Sequence, residues 1–208
     1  DFSGGGDASY LRLVLLFASV SLAPALLAVV TSFARIVIVL FFLRAGLGSQ
    51  QLVPNPVLIG LALLLTACSM SGTLREIHQR SLQPLLAGQA TPAAAWQAAQ
   101  TPARAFLTAH TRVEDLRLLQ DFAPAPGPPA LSVLAAAYAL SELRAAFIIG
   151  FVILLPFLVV DLVVAGTLAT LGLVSLPAAV LALPFKVLLF VMVDGWRLLA
   201  YALLSSLQ

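Results

Sequence analysis

Seven charged side chains lie inside segments that are otherwise apolar, and these are the residues whose types and spacing could do chemistry. A charge at the centre of an apolar helix costs about 2.5 to 3.5 kcal/mol on the membrane-insertion scale. Such charges face protein or water and usually have a partner, so each is a candidate functional residue. They are Arg35, Glu142, Arg144, Asp161, Lys186, Asp194 and Arg197.

Asp161 and Lys186 are brought together by their spacing. If the last two helical stretches form an antiparallel hairpin folded near Gly172, both residues are equidistant from a point between Leu173 and Val174. Lys186 is the only lysine in the chain. We therefore predict a buried ion pair across the hairpin. It could transmit a change of state, for example a proton-linked one, or it could be a static pair that fixes the register, which is the role we favour.

The spacing of the remaining charged residues predicts their partners less well. Asp194 and Arg197 are spaced i, i+3, so they can pair on one face of a helix. Glu142 and Arg144 are two residues apart, a spacing at which side chains on a helix do not face each other. Arg35 and Glu142 are therefore expected to be intramembrane charges, but the sequence assigns no partner to either.

No constellation typical of a metal site or an enzyme is present in the sequence. His78 and His110 are far apart, with no cysteine or carboxylate at ligand spacing. Cys68, the single cysteine, is expected to be a small buried hydrophobic residue. There is no P-loop, no HExxH motif and no supported Ser–His–Asp arrangement. We expect no metal, no other cofactor and no catalysis.

The composition predicts an all-α integral membrane protein. Of 208 residues, 61% are hydrophobic and 10% are charged, and the mean hydropathy is +1.05. A soluble domain is about half apolar and about a quarter charged, and a soluble fold of this length could not bury so much apolar surface. The net charge of +2 includes no dense basic cluster, so nucleic acid is not an expected partner.

The chain divides into four predicted parts. Residues 1–9 form a flexible polar tail, and residues 10–70 hold the N-terminal apolar helices. Residues 71–129 form a small soluble helical segment that ends in a proline-rich linker. Residues 130–208 form a C-terminal helical hairpin, in which one helix from about Leu131 to Leu171 contains Pro156 and a second from about Ala178 onward contains Pro184.

Residues 71–129 contain four threonines at which a helix is predicted to start. Two of them have a glutamate three residues later, as in the capping box. The other two come directly before a proline, which is favoured at the first helical position. The predicted cap residues are Thr73, Thr91, Thr101 and Thr111.

Blocks of sequence carry a family resemblance, in order and with the expected spacing over about residues 22–204. The N-terminal blocks are TSFARIVIV at 31–39, LRAGLG at 43–48, and Asn55 with VLIGLAL at 57–63. The C-terminal blocks are SELRAAF at 141–147, IGF at 149–151, PFLVVDLV at 156–163, ALPFK at 182–186, LFV at 189–191 and VDGW at 193–196. Together they resemble the FliP family of type III secretion, which includes the injectisome counterpart SctR.

The resemblance implies a core subunit of the type III protein export gate. FliP-like proteins form a pentamer-type homo-oligomer with FliQ-like and FliR-like subunits, and they act with FlhA-like and FlhB-like export components. The complex is a pore through which unfolded proteins cross the bacterial inner membrane. Its expected location is the flagellar basal body, in contact with membrane lipid, with part of the assembly and residues 71–129 on the periplasmic side. The resemblance also makes Asp161 and Lys186 functionally important.

The family's pore gasket is a methionine-rich turn between the last two helices, where flexible apolar side chains can seal around varied chains. The corresponding residues here are Leu173, Val174 and Ser175. This is a departure from the family, because leucine and valine are stiffer and serine is polar. A second departure is Ser71-Gly72, where the family usually has Ser-Pro.

Three alternatives to a flagellar gate subunit stay open at this point. One is an injectisome subunit for virulence effectors, although the sequence TRVEDL at 111–116 favours the flagellar form. Another is a small-solute transporter, which would need a polar pathway and often shows internal repeats. The last is a structural assembly factor without a pore.

Overall fold

The computed structural model describes residues 28–48, 53–123, 127–173 and 175–207, together with residues 10, 13, 14, 17, 18, 21 and 24. Every regular element within this part of the chain is a helix, as predicted. The predicted tail at 1–9 and Val174 of the predicted gasket lie outside the described residues.

The helices follow one another with short connections, and a π-helical segment at His78–Leu82 joins α3 to α4. In chain order they are α1 Phe33–Leu47, α2 Asn55–Ser69, α3 Ser71–Ile77, α4 Gln83–Leu86, α5 Pro92–His110, α6 Val113–Phe122, α7 Leu131–Thr170, α8 Ala178–Met192 and α9 Gly195–Ser205. Helix α7 has 40 residues, which at 1.5 Å per residue is a length of about 60 Å.

Helix α1 is the centre of the core. Its apolar residues Ile36, Val39, Leu40 and Leu43 follow the i, i+3, i+4, i+7 spacing of one helix face, and each is at most 1% exposed. They pack chiefly against α7 and α2. The backbones of α1 and α7 approach closely, since a Cβ atom added at Gly150 would collide with the Phe42 ring. Small residues permit such an approach between helices.

Helices α8 and α9 are separated by a sharp bend. The sequence predicted one helical stretch from about Ala178 onward, and this is wrong, because the axis turns by 63° between Met192 and Gly195. Asp194 has φ 50°, in the left-handed region that a right-handed helix cannot contain. At Gly195 the Phe190 ring lies where a Cβ would be, so only glycine fits there without a shift.

Helix α7 is long and apolar enough to cross a membrane, and in the described part of the chain no other single helix is. Two bent pairs reach the same length and hydropathy if each is counted as one broken span. One is α2 followed by the segment Ser71–Leu86, bent by 69°, and the other is α8 with α9. Helix α2 alone has 15 residues, which is short for a span that needs about 20.

Of the four predicted helix starts, the one at Thr91 is confirmed, because its hydroxyl accepts a hydrogen bond from the Ala94 N–H at 3.3 Å. The other three are wrong. Thr73 lies within α3, and Thr101 lies within α5, which continues through the buried Pro102. Thr111 ends α5 instead, and its hydroxyl donates to the Leu107 carbonyl at 2.6 Å.

Cys68 also differs from its prediction, since it is exposed and not buried. It lies on α2, whose buried face is formed by Leu58 and Ala62. Cys68 is six residues beyond Ala62, which places it on another side of a helix with 3.6 residues per turn.

Candidate functional site

A buried ion pair joins α1 to α7. The Arg35 Nε donates to Glu142 Oε2 at 2.8 Å, and its Nη2 donates to Oε1, so the contact is bidentate. Arg35 is 6% exposed and Glu142 is fully buried. Arg35 lies beside Ile36 on the core face of α1, so the packing of α1 fixes the guanidinium against α7. Bidentate arginine–carboxylate pairs are strong and geometrically specific.

Arg35 also fastens a third part of the chain. Its Nη1 donates to the Ser206 carbonyl at 2.6 Å and to the Ser206 hydroxyl at 3.2 Å. Ser206 lies in the turn that follows α9. One guanidinium therefore holds α1, α7 and the end of α9 together, and the α9 contact is formed with a backbone carbonyl.

Arg35 and Glu142 were both predicted to be intramembrane charges but were not paired, because they are 107 residues apart in the sequence. Two opposite charges in apolar helices, each without a local partner, were the available signal. That signal shows that a partner is needed, but not which charge supplies it. Counting residues from the turn at Gly172 paired Asp161 with Lys186, because a single turn relates their two helices. No single turn relates α1 to α7, so Arg35 and Glu142 could not be paired in this way.

A second polar cluster, which was not predicted from the sequence, docks α6 onto α7. The Ser141 hydroxyl donates to Asp115 Oδ2 at 2.7 Å and accepts from the Arg112 N–H at 3.0 Å. Asp115 is 6% exposed. At the rim, Arg144 pairs with Glu114 at 3.5 Å, so this glutamate forms a contact with α7 and not the predicted capping box.

Asp161 and Lys186 lie in contact across the hairpin of α7 and α8. The Lys186 Nζ donates to Asp161 Oδ2 at 2.6 Å. The Lys186 side chain is 4% exposed and that of Asp161 is 36% exposed. The exposed part of Asp161 is not its free carboxylate oxygen, because Oδ1 is buried and has no hydrogen-bond partner among the described residues. Both charged groups therefore depend on the pair.

The turn between α7 and α8 is built by Gly172. Its φ is 73°, the left-handed conformation that ends a helix in a Schellman motif. The N–H of Leu173 bonds the Leu168 carbonyl at 2.9 Å, and the N–H of Gly172 bonds the Ala169 carbonyl at 3.1 Å. Leu173 is 43% exposed and Ser175 is also exposed. The described residues of the predicted gasket are thus at the surface, at the apex of the hairpin.

Asp194 and Arg197 are not brought together. Asp194 lies in the bend before α9 with a left-handed backbone, so the i, i+3 relation of a continuous helix does not apply. Both side chains are exposed, and the described residues contain no ion pair between them. The prediction of a pair on one helix face is wrong for this reason.

No group of three or more histidine, cysteine, aspartate or glutamate side chains in the described part of the chain is placed to hold a metal ion. His78 and His110, the two histidines, lie in different environments. His78 begins the π-helical segment, whereas His110 ends α5 beside the Arg35 network.

The fold and the buried pairs define a class: helical proteins with a helix able to cross a membrane and with helix charges paired inside the protein. A family model described as the FliP family matches residues 16–203. The flagellar biosynthetic protein FliP of Bacillus subtilis (strain 168) is 44% identical over 203 residues, which are 95% of this chain and 92% of the relative.

Other relatives give the same result. The flagellar biosynthetic protein FliP of Caulobacter vibrioides is 44% identical over 202 residues, 95% of this chain and 76% of the relative. That of Aquifex aeolicus is 37% identical over 205 residues, 95% of this chain and 86% of the relative. The chain therefore belongs to the FliP family of flagellar type III export components, and the resemblance drawn from the sequence blocks is confirmed.

Proposed function

We propose that this chain is a core subunit of the flagellar protein-export gate in the bacterial inner membrane, a conduit without catalytic activity. In this role several copies assemble with FliQ-like and FliR-like subunits around a pore for unfolded flagellar proteins, and FlhA-like and FlhB-like components act on the same path. The observation that carries the proposal is the 44% identity to a flagellar biosynthetic protein across 92% of that protein's length.

The exposed apolar surface of the hairpin supports an assembled state. Large hydrophobic residues on α7 and α8 are more than half exposed, far more than a soluble monomer would present in one place. Examples are Phe151, Val159, Leu162, Phe185 and Val191. The two bent helix pairs also favour contact with other subunits, because a bend of 60° or more leaves backbone groups that protein neighbours can cover.

Co-expression with the genomic neighbours of this chain tests the function. We expect mild detergent to extract a large complex with several copies of this chain and small helical partners, and native mass spectrometry gives the copy number. Flagellar partners would support the proposal, and injectisome partners would move the chain to the alternative system. A stable monomer or dimer without such partners would contradict the gate and favour a transporter.

We further propose that Leu173, Val174 and Ser175 face the pore axis and that residues 71–129 lie on the periplasmic side. Two exposed residues test this in a Cys68→Ser background: Ser175→Cys in the turn and Gln97→Cys on α5. Oxidation is expected to link Ser175→Cys between copies, but not the matched Gln97→Cys. A membrane-impermeant maleimide added to intact spheroplasts is expected to label Gln97→Cys. If Ser175→Cys does not cross-link within the assembled complex, the proposal that the turn faces the pore axis is wrong.

A further inference from the structure

The ring of His110, the last residue of α5, lies between two backbone carbonyl groups. Its Nδ1 is 2.8 Å from the Phe106 carbonyl oxygen, one turn back on the same helix. Its Nε2 is 3.0 Å from the Leu207 carbonyl oxygen, in the turn that follows α9. The ring also stacks on Phe106, with ring centroids 4.4 Å apart and planes tilted by 33°. The side chain thus connects α5 to the end of α9.

Both contacts can be hydrogen bonds only when the imidazole is protonated. A carbonyl oxygen only accepts, and a neutral imidazole carries one N–H and one bare lone pair. Only the imidazolium can donate from both nitrogens. In the neutral ring, one nitrogen lone pair would face a carbonyl lone pair, and that contact would become repulsive.

Several charged and titratable groups lie near the ring. Arg35 on α1 and Arg112 before α6 line the same cavity of about 330 Å³ as His110, together with the neutral Ser206 after α9. Glu142 on α7 interacts with His110 electrostatically, but its carboxylate is already bound to Arg35. Tyr138, also on α7, stacks near Phe106 at a centroid distance of 5.6 Å, and Asp115 on α6 is engaged by Ser141.

We propose that His110 is a proton-dependent latch between α5 and the turn after α9. When the ring is protonated, it donates to both carbonyls and fastens the turn. When the ring is neutral, it keeps the contact with the Phe106 carbonyl, because the same helix already holds that acceptor in place. The contact with the Leu207 carbonyl is the one that is lost, because it requires two separate segments to be ordered.

Loss of the Leu207 contact loosens the turn after α9 but does not detach it, because Arg35 also binds this turn. It binds the Ser206 carbonyl and keeps its charge at every accessible pH. The turn after α9 therefore has one permanent anchor and one titratable anchor, on adjacent residues. Histidine is the side chain type that changes charge between about pH 5 and pH 8, so this is the range over which the latch is tested. The latch does not depend on the export function proposed above.

The experiment uses the full chain in lipid nanodiscs at about pH 5.5 and about pH 8. His78→Gln leaves His110 as the only histidine, so 15N labelling of histidine reports its ring nitrogens alone. We expect both nitrogens to be protonated at the lower pH and only Nδ1 at the higher pH. Amide hydrogen exchange at Ser206 and Leu207, corrected for intrinsic rates, is expected to be roughly tenfold faster at the higher pH.

Two further variants isolate the latch. His110→Gln carries no titrating charge and is expected to abolish the pH dependence of exchange, while His78→Gln, the matched control, retains it. His110→Arg, which is charged throughout, is expected to slow exchange at the higher pH. A neutral His110 ring at about pH 5.5, or a pH dependence that persists unchanged in His110→Gln, would overturn the proposal.

Discussion

Replacing Glu142 with alanine is expected to destabilise the chain by about 3 to 5 kcal/mol, because Arg35 would remain charged and buried without its partner. Arg35 is 6% exposed, so little water can replace the lost carboxylate. The measurement is the free energy of unfolding in mixed detergent micelles, together with the amount of chain recovered from membranes. We expect Glu142→Ala to reduce both.

The neighbouring surface pair provides the matched control. Arg144 lies two residues further along α7, and its side chain is 51% exposed where it meets Glu114. Arg144 also lies 3.9 Å from the buried Asp115 carboxylate, so the control variant changes Glu114, whose side chain is 77% exposed. Exposed pairs contribute about 0 to 1 kcal/mol, so Glu114→Gln is expected to cost no more than that. If Glu142→Ala cost as little as Glu114→Gln, the buried pair would not hold α1 to α7.

Removing both charges gives a second control. The double variant Arg35→Met, Glu142→Leu is expected to recover most of the stability lost in Glu142→Ala, because apolar residues of similar volume often replace buried ion pairs without loss. Recovery should be incomplete at the end of α9, where the Ser206 carbonyl loses the donor that Arg35 supplies at 2.6 Å. Hydrogen exchange at Ser206 would report this local loss separately from global unfolding.

The sequence predicted the helical class, the long helix α7 and the turn at Gly172, because each depends on local pattern. Apolar runs of about 20 residues indicate helices, and glycine is favoured where a helix ends in a left-handed residue. The bend at Asp194 was missed although Asp194-Gly195 is a dipeptide typical of turns, because the apolar residues on both sides favoured one continuous helix. Thr101 was misread as a helix start because the Thr-Pro signal is local, whereas α5 continues through Pro102, which is buried.

The site was predictable where one turn relates two residues and not where tertiary packing does. Asp161 and Lys186 are linked by counting from Gly172. Arg35, Glu142 and Ser206 come from three elements whose arrangement depends on the whole core. The His110 contact depends on backbone carbonyls, which every residue carries, so no side-chain pattern in the sequence could indicate it.

Asp161→Ala and Lys186→Met are each expected to destabilise the chain by about 3 to 5 kcal/mol, because each leaves one charged group of the pair without its partner. The aspartate change leaves a lysine whose side chain is 4% exposed. The lysine change leaves a carboxylate whose Oδ1 is buried and has no hydrogen-bond partner among the described residues. The measurement is the free energy of unfolding in the same micelles.

The double variant Asp161→Ala, Lys186→Met distinguishes the two roles of the pair, because it removes both charges and leaves neither one unpaired. If the pair only fixes the register of α7 against α8, the double variant should regain both stability and flagellar export, measured as secreted flagellin in a strain that lacks its own gate subunit. If the pair takes part in a change of state, stability should return while export stays lost, because an apolar contact has no charge to respond. We expect the first result, since the pair spans the hairpin directly at 2.6 Å, and recovery of stability without export would refute the static role.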